Sequence, residues 1–223
     1  MELTKNELRY EKKWTYLEKD KFFLLSHLKS RGFYFKNSFP IRRVNNLYYD
    51  TKNLKSLTDN LDGISSREKF RVRWYGDFNN AKNLFIEKKI KKNQLGFKKR
   101  TNINFSVDFQ NFNNIKKLNN YVETNFSLFK DPIKPILFNS YKRIYSVSKI
   151  FPDVRCTLDF NLKSFVYNSI ISPKIFKSYP HLILEIKYPS EKDDLVKKIL
   201  NDYNLKRISK SSKYVSMLIN SRF

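Results

Sequence analysis

Phe70-Arg71-Val72-Arg73-Trp74-Tyr75-Gly76 is the stretch of this 223-residue chain that decides its fold. Successive side chains of a β-strand point to opposite faces, so Arg71 and Arg73 leave one side while Phe70, Val72 and Trp74 leave the other. The apolar side can pack into a core; the cationic side needs an anion. The pattern recurs along the chain, often with one acid among the bases. Arg9, Glu11 and Lys13 alternate with Tyr10, Lys12 and Trp14. Glu87 and Lys89 share a face opposite Ile86 and Ile90. Lys98 and Arg100 oppose Phe97, Thr101 and Ile103, with Lys99 as an imperfection. Arg155, Thr157 and Asp159 alternate with Val154, Cys156 and Leu158, and Glu185 and Lys187 with Leu184, Ile186 and Tyr188.

Working outward, Gly76-Asp77-Phe78-Asn79-Asn80 has turn chemistry and joins the Arg71 strand to the Glu87 strand. Lys91 to Gly96 makes a second hairpin connection, so consecutive strands are expected to be antiparallel. Asn46 to Asp50, Ile136 to Ser146, Val154 to Tyr167 and Leu182 to Tyr188 read as further strands. Helices are expected over Glu18–Ser30, Asp108–Phe129, Asp193–Tyr203 and Ser211–Ile219, and a short helix or turn over Leu54–Leu61. Gly32 stops the first of these, and Asp131-Pro132-Ile133-Lys134-Pro135 breaks the second. No repeat or linker interrupts the chain, which reads as a single domain over residues 1–223.

About eight strands admit a sandwich or a barrel. In a sandwich the bases would be ordinary solvated surface. A closed sheet of about eight strands turns them inward and leaves room for one slender ligand. Inward-facing like charges repel by about 4 kcal/mol at 4 Å and an effective dielectric of 20, so carboxylates, water or a bound polyanion must relieve them. The alternation favours the barrel: an α+β, mainly antiparallel fold, an eight-stranded closed β-barrel with surrounding helices.

Composition narrows the function. Lys and Arg total 45 against 21 Asp and Glu, a net charge of +24. Such an excess implies a polyanionic partner, and with 40% hydrophobic residues the chain is globular. Only 4 Gly are present, which excludes Gly-rich phosphate loops, so any phosphates must be held by side chains. Cys156 is the only cysteine, which leaves no intrachain disulfide and no zinc knuckle. No leader-like apolar region follows Met1 and no stretch reaches the ~18 apolar residues of a membrane span; a cytoplasmic location is expected.

Taken in order, Arg71-Val72-Arg73-Trp74-Tyr75-Gly76, Phe85-Ile86-Glu87-Lys88-Lys89, Tyr141-Lys142-Arg143, Val154-Arg155-Cys156-Thr157-Leu158-Asp159, Leu184-Glu185-Ile186-Lys187 and Ser209-Lys210-Ser211-Ser212-Lys213-Tyr214 resemble the polyphosphate polymerase domain of the vacuolar transporter chaperone (VTC) family. That family lies within the CYTH, or triphosphate tunnel metalloenzyme, superfamily. The resemblance runs from about Glu11 to Ile219. It implies a tunnel in which a divalent metal, Mn²⁺ or Mg²⁺, and a ring of bases hold ATP while its γ-phosphate passes to growing polyphosphate. By motif, the basic ligands would be Lys13, Arg71, Arg73, Lys89, Lys98, Arg143, Arg155, Lys210 and Lys213. Of these, Arg71, Arg73, Lys89 and Arg155 would hold the nucleotide. Glu185 would be the metal-binding carboxylate, with Glu11, Glu87 and Asp159 as helpers or salt-bridge partners. The partners implied are ATP and polyphosphate.

One departure matters. Hydrolytic tunnel enzymes resemble a Glu-x-Glu-x-Lys pattern on the first strand, whereas this chain has Arg9-Tyr10-Glu11-Lys12-Lys13. Exchanging a carboxylate for a base weakens a multi-carboxylate metal site and strengthens polyanion binding, which favours polymerase over triphosphatase. A triphosphatase on the same fold and a non-catalytic polyanion binder are the alternatives. Nucleic acid is disfavoured because most aromatics fall on the apolar faces, where they build core and not a stacking platform. Read singly, Glu87 and Glu185 are also ordinary cross-strand ion-pair residues, Lys210 and Lys213 also suit a solvated helix face, and His27, His181 and Cys156 are structural. Relieving interior repulsion by Arg71→Ala or Arg155→Ala is expected to abolish turnover and to leave the fold intact or more stable.

Overall fold

The computed structural model describes residues 9–92, 95–167, 176–203, 205 and 212–222. In chain order its elements are β1 (Arg9–Leu17), α1 (Lys21–Ser30), β2 (Phe35–Asp50), α2 (Lys55–Leu61), β3 (Ser66–Tyr75), β4 (Asn80–Ala81), β5 (Phe85–Lys92), β6 (Leu95–Asn102) and β7 (Val107–Asp108). There follow α3 (Phe112–Asn125), β8 (Lys134–Ser148), β9 (Arg155–Val166), β10 (Lys177–Tyr179), β11 (His181–Pro189), α4 (Asp193–Asp202) and α5 (Lys213–Arg222). The fold is α+β, mainly antiparallel sheet with flanking helices. Among the described residues no helix is long and apolar enough to cross a membrane.

The chain divides into two compact units, Met1–Arg42 with Lys142–Leu162 and Pro180–Ser211, and Arg43–Tyr141 with Lys163–Tyr179 and Ser212–Phe223. In the first, β1 pairs antiparallel with β11, Lys13 opposite Glu185, and β11 with β9, Glu185 opposite Thr157. The apolar halves of the alternation, Trp14 and Tyr16, Leu182 to Tyr188, Cys156 and Leu158, are buried with Leu24 and Leu28 of α1 and Val196 and Leu200 of α4. Each such Leu or Val contributes about 1.5–3 kcal/mol on burial. Glu18 and Asp20 lie in the turn that leads into α1, where acids favour the positive end of the helix dipole. Gly32 ends the helix with φ +54°, a backbone position that favours glycine. The Tyr203 hydroxyl accepts the Phe33 N–H at 2.9 Å and donates to the Arg31 carbonyl. His27 Nε2 reaches the Tyr203 carbonyl oxygen at 2.9 Å, the structural role expected of it.

In the second unit, β3 pairs with β2 and β5, and β5 with β6, all antiparallel. Phe70, Val72 and Trp74 enter a core with Leu47, Tyr49, Ile86 and, from α3, Ile115, Leu118 and Val122. Trp74 stacks on Phe109 at 4.5 Å between ring centroids. Asp50 is wholly buried; its carboxylate accepts N–H groups of Thr51, Ser56 and Leu57 at the start of α2 and the Tyr214 hydroxyl of α5. Among the described residues, the strands paired within either unit do not form a closed ring on their own.

Two expected boundaries move. The helix anticipated from Asp108 begins at Phe112, because the Asn111 side chain accepts the N–H groups of Asn113 and Asn114 at 2.9 and 3.3 Å and so caps it there. The short strand anticipated at Asn46 extends back to Phe35. Residues 36–43 are exposed on both faces, so they carry no alternation to read.

Candidate functional site

Two polar sheet faces gather the candidate residues, one in each unit. In the first unit, Lys13, Glu185 and Thr157 form a row across β1, β11 and β9, and Glu11, Lys187 and Arg155 form the next row. Lys13 pairs with Glu11 and lies 3.6 Å from Glu185. Lys187 reaches Glu185 at 2.5 Å and Glu11 at 3.8 Å. Two lysines thus bridge two carboxylates. Glu185 is buried and Arg155 exposed. The hydroxyl of Thr157 is buried and has no hydrogen-bond partner among the described residues.

At the other end of the same face, the Arg143 guanidinium grips Asp159 with both prongs, Nε to Oδ1 at 2.5 Å and Nη2 to Oδ2 at 2.7 Å. Both residues are buried. Asp159 is therefore an ion-pair partner of Arg143, while Glu11 shares Lys13 and Lys187 with Glu185. Cys156 points to the opposite, apolar side, and burial, with Glu185 and Asp159 adding to it, pushes its thiol well above its ordinary value. Arg9, at the exposed end of β1, lies opposite Pro189.

The second unit's face is more lopsided. The registers align Lys69, Lys89 and Lys98 in one row, Arg71, Glu87 and Arg100 in the next, and Arg67 with Lys91 in a third. With Arg73, eight bases of β3, β5 and β6 share this face with one carboxylate of those strands, Glu87, among the described residues. That carboxylate is 1% exposed. Arg71 donates to it from Nε at 2.8 Å and Nη2 at 2.5 Å, Lys98 at 2.9 Å, and Arg73 Nη1 lies 3.7 Å away. Burial opposes both charges, yet Arg71, Arg73 and Lys98 hold the Glu87 carboxyl well below the usual carboxylate range, and Glu87 raises the Arg71 guanidinium. Arg100 covers the Phe85 ring at 3.4 Å.

Neutral groups orient the cations. Arg71 Nη1 donates to the Tyr48 hydroxyl at 3.1 Å, Arg73 Nε to Asn46 Oδ1 at 2.7 Å and Arg73 Nη2 to the Tyr141 hydroxyl at 3.1 Å. The Lys213 amine lies 5.4 Å from the centre of the Tyr141 ring. Lys210 falls outside the described residues. Tyr48, Asn46, Tyr141, Lys187 and Thr157 did not stand out in the sequence as site residues. Lys187 and Thr157 follow from the same period of two as Glu185 and Arg155; Asn46 and Tyr48 carry no charge to mark them.

Among the described residues no group of three or more His, Cys, Asp or Glu side chains could hold a metal by itself. A hard cation such as Mg²⁺ commonly takes one or two carboxylates and fills its shell with phosphate oxygens and water. Glu185 with Glu11 beside it fits that demand.

The model of one protein family, the VTC domain, matches residues 5–219. No curated protein matches the chain. Among solved structures the chain is similar to a candidate adenylate cyclase from Vibrio parahaemolyticus, at 13% identity and a TM-score of 0.54 over 94% of this chain and 98% of that one. It is also similar to a protein from Pyrococcus horikoshii OT3, at 15% identity and a TM-score of 0.50 over 97% and 98% of the two chains. At these identities the likeness is one of fold.

Proposed function

The chain belongs to the VTC domain family, and from that premise we propose that it is a polyphosphate polymerase. In this reading the chain has the eight-stranded tunnel that the family implies, and its bases hold a triphosphate. A terminal oxygen of polyphosphate attacks the γ-phosphorus of ATP; the new P–O–P bond forms as the bond to ADP breaks, and ADP leaves. The observation that carries the proposal is the excess of base over acid on β3, β5 and β6 of the second unit, where eight bases share a face with one carboxylate, Glu87, among the described residues. Such a face suits a long polyanion better than a site specialised for water.

Phosphoryl transfer asks the protein for in-line positioning and for charge neutralisation on the transferred oxygens. Arg71 and Arg73 are suited to both, since Glu87, Tyr48, Asn46 and Tyr141 fix their planes before any ligand arrives. Lys89, Lys98 and Lys213 add charge on the same unit, and Lys13 and Arg155 on the other, where Asp159 meets the charge of Arg143. Polyphosphate is already an anionic nucleophile, so no strong general base is required. Glu185, helped by Glu11, would hold Mn²⁺ or Mg²⁺, which would supply further neutralisation of the phosphate oxygens. Arg9 in the place of a carboxylate leaves the metal few protein ligands, which favours polymer synthesis over hydrolysis.

Phosphorus NMR of a mixture of the protein, ATP and Mg²⁺ tests the proposal. Internal phosphate resonances of a chain should grow as ADP appears; ADP with an equal amount of orthophosphate would instead identify a triphosphatase.

A further inference from the structure

We infer that Thr157 is a phosphate-binding residue, its hydroxyl donating a hydrogen bond to an oxygen of the triphosphate held over Lys13 and Glu185. The inference rests on the proposed function and goes beyond it in assigning a neutral side chain to the site. Thr157 sits in the middle of β9, directly opposite Glu185, which is directly opposite Lys13. Side chains opposite one another on paired strands have Cβ atoms about 4.5–5.5 Å apart, so Thr157 is an immediate neighbour of the carboxylate on the polar face.

Among the described residues its Oγ1 has no hydrogen-bond partner, although the residue is nine-tenths buried. Buried polar side-chain atoms are mostly paired, and an exception calls for an explanation. A threonine in mid-strand that only had to pack would be replaced without loss by valine, which has the same shape and no hydroxyl to desolvate. The surroundings supply the reason for keeping the hydroxyl. Lys13 and Lys187 lie over Glu185 and bridge it to Glu11. A triphosphate competes with those carboxylates for the two amines. Amines that turn toward the anion hold it at the row that Thr157 shares with Lys13 and Glu185, where its hydroxyl is the neutral donor. Unlike a further base, a hydroxyl at this position binds phosphate without adding to the repulsion among Lys13, Lys187 and Arg155.

The test compares wild type with Thr157→Val and Thr157→Ser by calorimetric titration with tripolyphosphate in the presence of Mg²⁺, alongside thermal melting of each ligand-free protein. Thr157→Val should bind tripolyphosphate at least tenfold more weakly, while Thr157→Ser stays within threefold of wild type. The ligand-free Thr157→Val protein should melt at or above the wild-type temperature, because it loses only an unpaired buried hydroxyl. Unchanged affinity in Thr157→Val would overturn the inference, and so would a lower melting temperature, which would make the hydroxyl structural. A wild-type protein that fails to bind tripolyphosphate would instead remove the functional reading itself, and this inference with it.

Discussion

Glu87 is the residue on which the second unit's basic face is organised. Among the described residues of β3, β5 and β6 it is the one carboxylate beside eight bases, and it accepts hydrogen bonds from Arg71 and Lys98. Removing one partner of a buried ion pair costs about 3–5 kcal/mol, so Glu87→Gln should lose that much in urea denaturation at pH 7. The same contact sets an acid limb. The folded carboxyl titrates below that of an unfolded Glu, near 4.3, so its contribution to stability is complete above that pH and is lost as pH falls through the folded value. Stability measured from pH 6 down to pH 2 should fall less steeply in Glu87→Gln. Arg71 and Arg155 part company here. The sequence led us to expect that either alanine variant would relieve repulsion. Arg71, however, is bound to Glu87, and its loss should cost about 1.5–3 kcal/mol, the range for hydrogen bonds to charged groups. Arg155 is exposed and lies opposite Lys187, so Arg155→Ala should stay within about 0.5 kcal/mol of wild type. If both hold phosphate oxygens, each variant should lose about 10²–10³-fold in kcat.

At the scale of elements, what could be read from the sequence followed from periodicity. The Arg71 strand, its partners β5 and β6, and β1, β9 and β11 each bury one face, so alternation marks them. The first half of β2 buries neither face and was invisible. The two rows Lys13–Glu185–Thr157 and Lys69–Lys89–Lys98 were not legible either, since they depend on register between distant strands, which alternation within one strand does not fix. Nor did charge counting reveal that Arg143 spends both prongs on Asp159. The end of α1 was legible, and it carries a prediction. A Cβ on Gly32 would strike the Tyr203 ring and the Ile199 side chain, at a φ that disfavours other residues. Overpacking costs about 1–3 kcal/mol, and for a chain of this size each kcal/mol lowers Tm by about 2–4 °C. Gly32→Ala should melt lower by at least that increment in a calorimetric scan, with tripolyphosphate affinity unchanged.

For the whole molecule, the net charge of +24 opposes compactness. A polyanion that binds the folded state relieves that repulsion and stabilises by mass action, about 2.7 kcal/mol at a hundred times its Kd. Tripolyphosphate should therefore raise Tm by several degrees at low salt. The shift should shrink as sodium chloride screens the exposed bases. Such a response is common to any polyanion binder on this fold, and only turnover separates polymer synthesis from triphosphate hydrolysis and from binding alone. The decisive measurement is gel electrophoresis of the product after incubation with ATP and Mn²⁺. A phosphatase-sensitive ladder of polyphosphate that lengthens with time and is absent from Arg71→Ala is the predicted result; ADP and free phosphate without polymer, or no turnover at all, would contradict the account.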